Sequence, residues 1–70
     1  GEPELGGARE MFDRAVDVLT SAGAELELAR TLDAYAAFED RSGRDETAAE
    51  LRRQARLIRH RGRPDARAAQ

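Results

Sequence analysis

The chain has 70 residues, with 14 acids, 12 basic residues that are all arginine, no cysteine and a formal net charge of −2. That length allows one domain at most, with a small core, and the lack of cysteine excludes a disulfide framework or a thiolate metal site. No apolar run approaches the roughly 20 residues that span a bilayer, and the amino end carries no export signal, so a cytoplasmic location is the default expectation. The chain begins Gly-Glu-Pro without methionine, as an excised fragment or a tag-cleaved product would.

Alanine, leucine, arginine and glutamate dominate, and these favour helix. Valine, isoleucine and threonine are too few to build strands. Charge is unevenly spread. Residues 1–46 hold twelve acids against five arginines, a net of −7, and residues 47–70 hold seven arginines against two acids, a net of +5. Such asymmetry marks either a surface for nucleic acid or an acidic partner, or the two ends of a stacked array.

Glycines punctuate the chain at Gly6-Gly7, Gly23, Gly43 and Gly62, with Pro3 and Pro64 near its ends. The first helix is expected from about Gly7 to Ser21, with Gly6-Gly7 as a frayed start. Ala8, Met11, Phe12, Ala15, Val16, Val18 and Leu19 give it a wide apolar face at spacings of three and four. The second helix is expected from about Ala24 to Arg41. Leu28, Leu32, Tyr35 and Phe38 form its stripe, with Ala29 and Ala36 beside it. Glu25 and Glu27 suit its first turn and Arg41 its last. The third helix is expected from about Asp45 to Arg61. Ala48, Leu51, Ala55 and Ile58 form its seam, and Leu57 widens it. Ser42 with Asp45 reads as a capping box. The tail 62–70 is expected to fray. Links this short force antiparallel neighbours, so the expected fold is all-α, three antiparallel helices running up, down and up, in one domain over residues 1–70.

The first and third helices repeat each other at an offset of 40 residues. Ala8 matches Ala48, Glu10 matches Glu50, Met11 matches Leu51, Ala15 matches Ala55 and Val18 matches Ile58. Alanines at fixed places let helix backbones approach closely, as in solenoids whose units bury surface only against neighbours. Ala36, the break at Ser42-Gly43, Ala48 and Ala55 resemble the small-residue pattern of the tetratricopeptide repeat, and Leu32, Tyr35 and Phe38 resemble its larger residues. The stretch Glu27–Ala36 is similar to repeats of large bacterial signalling and regulatory proteins. The resemblance covers residues 8–61, about one and a half units. It implies a TPR-like superhelix fragment that holds a peptide or partner helix. Two positions depart from that pattern: Glu39 and Arg52 stand where the family places bulky apolar residues, and an ion pair between them is expected to replace that contact.

No catalytic, cofactor or metal site is expected. His60 lies among Arg59, Arg61 and Arg63 with no serine or acid at helical spacing, so it has no nucleophile to activate. Asp45, Glu46 and Glu50 read as a solvated helix start. The expected function is a non-catalytic interaction scaffold. It binds another protein or peptide, or neighbouring repeats of the same chain, with Arg30, Asp33, Arg52, Arg56 and Arg59 as candidate contacts and Tyr35 as core. The first alternative is a self-association module, because one and a half units leave an apolar helix face without a partner. The second is nucleic-acid binding through the arginines, disfavoured by the acidic total and by the lack of aromatics among them.

Overall fold

The computed structural model describes the backbone of residues 3–61 and the side chains of residues 7–61. It contains α1 (Pro3–Ala22), α2 (Glu25–Arg41) and α3 (Asp45–Arg61), with no strand among the described residues. The second and third helices lie where the sequence places them, within a residue. The first begins earlier than expected and runs through Gly6 and Gly7. Proline is at home in a first turn, where its missing N–H has no intrahelical partner to lose, and paired glycines weaken a helix without ending it. The stops expected of Gly62 and Pro64, and the tail, lie outside the described residues.

Both turns are made the same way. Gly23 and Gly43 have φ of 73° and 84°, a left-handed conformation that costs a side-chain-bearing residue about 1–2 kcal/mol. After α1, the Gly23 N–H donates to the Thr20 carbonyl and the Ala24 N–H to that of Leu19, at 3.1 and 3.0 Å. After α2, the Gly43 N–H donates to Asp40 and the Arg44 N–H to Glu39, at 3.0 and 2.8 Å. These are Schellman closures, which satisfy the last carbonyls of each helix. Ser42 is therefore the C-cap of α2. The expected capping box with Asp45 does not form, because α3 opens at Arg44, whose carbonyl accepts the Ala48 N–H.

The helices run antiparallel, and α2 stands between the other two, which scarcely meet. The α2–α3 interface is built on alanine. Ala29, Ala36, Ala48 and Ala55 are all fully buried, seven residues apart on each helix. Ala29 and Ala55 share a cluster with Leu28, Leu32 and Ile58, against which Val16, Leu19 and Leu51 pack. The expected seam on α3 is thus present, except that Leu57 is 57% exposed on its far side. Two of the salt bridges that edge this interface tie Arg52 to Asp40 and Arg59 to Asp33. The α1–α2 interface is aromatic. Phe12 stacks on Tyr35 with centroids 4.8 Å apart and packs against Phe38 at 5.6 Å. Tyr35 is buried, as expected, and its hydroxyl donates to Asp13 Oδ1 at 2.8 Å.

Candidate interaction surface

Glu39 is the one charged side chain among the described residues that is wholly buried. The expected pair with Arg52 is absent. Glu39 accepts from Arg9 Nε at 3.2 Å and from an Arg44 guanidinium nitrogen at 3.4 Å, while Arg52 bonds Asp40 at 2.5 Å. Successive residues of a helix point about 100° apart. That turn carries Glu39 towards α1 and Asp40 towards α3. Arg44 sits two places beyond the C-cap Ser42, where a Schellman turn commonly makes an apolar contact with the residue corresponding to Glu39; a charge pair takes its place. The carboxylate beside Arg9 holds that guanidinium above its ordinary pKa through their hydrogen bond and Coulomb attraction. Burial, and then the bond to Asp13, push the Tyr35 hydroxyl above its ordinary value.

Of the residues proposed from sequence as contacts, Asp33, Arg52 and Arg59 lie along the edge where α2 meets α3. Asp33 and Arg59 meet at 2.7 Å. Arg52 is held by Asp40, Arg53 by Glu50 and Arg61 by Glu25. Hydrogen bonds from Arg53 and Gln54 hold Glu50 below the usual carboxylate range. Arg30 and Arg56 are exposed and have no described carboxylate within salt-bridge distance. Much of the basic character of α3 is therefore engaged within the fold. His60 is exposed at the shallow hollow formed with Arg53, Arg56 and Leu57. Among the described residues, no group of three histidine or carboxylate side chains could hold a metal ion. No described helix is long and apolar enough to cross a membrane.

A second surface went unnamed among the candidate contacts. The apolar residues of α1 divide into two faces. Phe12, Val16 and Leu19 turn to α2. Met11 and Val18, roughly a third of a turn round, are 71% and 59% exposed. With Ala8, Ala15 and the Thr31 and Ala34 of α2, Met11 and Phe12 line an open apolar groove of about 370 Å³. Arg14 stands at the rim of the adjoining hollow beside Val18. The repeat carried the signal for this surface. The α3 counterparts of Ala8, Met11, Ala15 and Val18 are the residues that α2 covers, and on α1 Met11 and Val18 are exposed with Ala8 and Ala15 partly buried between them.

No family model matches the chain, and no curated protein or solved structure matches it.

Proposed function

We propose that this chain is a non-catalytic protein–protein interaction scaffold, a tetratricopeptide-like segment of a signalling or regulatory protein, and that its working face is the open side of α1. The observation that carries this reading is the exposure of Met11 in an apolar groove and of Val18 in the hollow that adjoins it. Scattered exposed leucines are ordinary, but a contiguous apolar groove is the mark of a surface that meets another molecule. The internal repeat supports the same reading, because the matching seam on α3 is a helix-packing surface. The arginine-rich edge is a weaker candidate. Arg52 and Arg59 already hold acids of α2, and an incoming phosphate or carboxylate has to compete with them.

A photo-crosslinking side chain placed at Val18, with Asp17 on the polar side as control, tests this in cells that make the protein. Capture of a protein from Val18 and not from Asp17 is expected. Capture from neither, or equally from both, contradicts the assignment.

A further inference from the structure

We infer that the open face of α1 receives a second copy of this chain, α1 against α1, antiparallel about a two-fold axis beside Met11. The inference rests on reading that face as an interaction surface and names its occupant.

The chain itself shows how such helices pair. In the α2–α3 interface, two antiparallel helices each carry alanines seven residues apart, and all four are fully buried. On α1, Ala8 and Ala15 have the same spacing and, partly buried, line the open groove. Turned antiparallel upon itself, α1 brings Ala8 level with Ala15 of the partner subunit, and Ala15 level with Ala8. The seam is self-complementary, as a two-fold interface requires. Met11 falls next to the axis, and the groove floor at Thr31 and Ala34 widens the contact.

Charge agrees with this register. Arg14 and Glu10 are exposed on the polar flank of the seam. In an antiparallel two-fold pair like flanks face each other, so Arg14 lies beside Glu10 of the partner subunit, offset by about 1.5 Å along the axis. The pair occurs twice.

The other end of the layer is more polar. Forty residues on from Phe12, Val16 and Leu19, which fasten α1 to α2, α3 has Arg52, Arg56 and Arg59. A helix that continued the stack beyond α3 would meet Arg53, Arg56 and His60 around the exposed Leu57. Polar outer faces of this kind terminate helical stacks. One apolar end and one polar end give a closed dimer and not an open array.

The chain has no native cysteine, so a single introduced thiol reports the axis cleanly. Under mild oxidation the full chain with Met11→Cys is expected to form a disulfide dimer, while Leu26→Cys, exposed on α2, remains monomeric. Sedimentation equilibrium of the unmodified chain should show a monomer–dimer equilibrium. Val18→Arg should abolish it, Arg14→Glu should weaken it about tenfold, and Arg14→Glu with Glu10→Arg should restore it. All these positions are exposed, and circular dichroism should show each variant folded. A monomer at every concentration overturns the inference, as does a dimer indifferent to Val18→Arg or a double variant that does not recover. A strict monomer whose Val18 position still captures a different protein rejects the second copy and leaves the interaction surface standing. A monomer that captures nothing rejects both.

Discussion

Glu39 offers a test of what holds α1 to α2. Its side chain has no exposed surface, yet its partners Arg9 and Arg44 are 42% and 46% exposed. Removing a carboxylate from water costs several kcal/mol. Two charge-assisted hydrogen bonds return about 1.5–3 kcal/mol each at best, and water around the half-exposed guanidinium groups lowers that. The two terms come close to cancelling. The stabilising part of Glu39 is then its filled volume, and its charge contributes register, fixing where α1 lies on α2. Glu39→Met keeps that volume and should change stability by less than about 1 kcal/mol in either direction. Glu39→Ala leaves a void and should cost about 2–4 kcal/mol, a large share of the roughly 4–10 kcal/mol expected of a chain this size. Urea unfolding followed by far-ultraviolet circular dichroism measures both, with the denaturant slope as a check that the folded state has kept its extent. If Glu39→Met destabilises as much as Glu39→Ala, the ion pairs hold α1 and this reasoning is wrong.

Other outcomes follow from the same geometry. Arg52→Ala and Arg53→Ala should cost similarly little, below about 1 kcal/mol each in urea unfolding, because both arginines make exposed pairs; a much larger loss at Arg52 would restore it to the buried network. The Tyr35 pKa is raised in the fold, so the folded state holds that proton more tightly than the unfolded chain. The associated stability is present below the unfolded value of about 10 and is lost as pH rises through the folded value. Unfolding midpoints should therefore fall on the alkaline side, and Tyr35→Phe should flatten that arm; an unchanged slope contradicts the assignment to Tyr35. Ala55→Leu should cost about 1–3 kcal/mol or more by overfilling the α2–α3 interface. Its repeat counterpart Ala15→Leu should cost under about 0.5 kcal/mol in dilute monomer, and equal costs would mean that the α1 seam is covered.

The helix boundaries legible in the sequence were those with a local cause. Gly23 and Gly43 adopt the left-handed conformation that stops a helix; α1 ends and α2 begins beside the first, and α2 ends and α3 begins beside the second. The start of α1 was misread because glycine breaks a helix only when its conformation changes, and Gly6-Gly7 remain helical. Charge partners were the least legible feature. Glu39 and Arg52 matched as opposite charges, but one step along α2 exchanges the side facing α3 for the side facing α1, and Asp40 takes Arg52. The repeat was legible as sequence and incomplete as structure. It paired α1 with α3 correctly in composition, yet α2 covers the Ala48–Ile58 seam of one and the Phe12–Leu19 face of the other. The apolar arc of α1 is wide enough to allow either contact, so periodicity could not say which half would remain open. Leu57, read as widening the α3 seam, shows the same limit.

Methyl resonances of Ala8, Met11, Ala15 and Val18, followed across a concentration series or on addition of a captured partner, test the central claim most directly. Shifts concentrated on these four, with Ala48, Leu51, Ala55 and Ile58 unmoved, are the predicted result. Shifts centred instead on Arg30, Arg52, Arg56 and Arg59, with the α1 methyls silent, would contradict it.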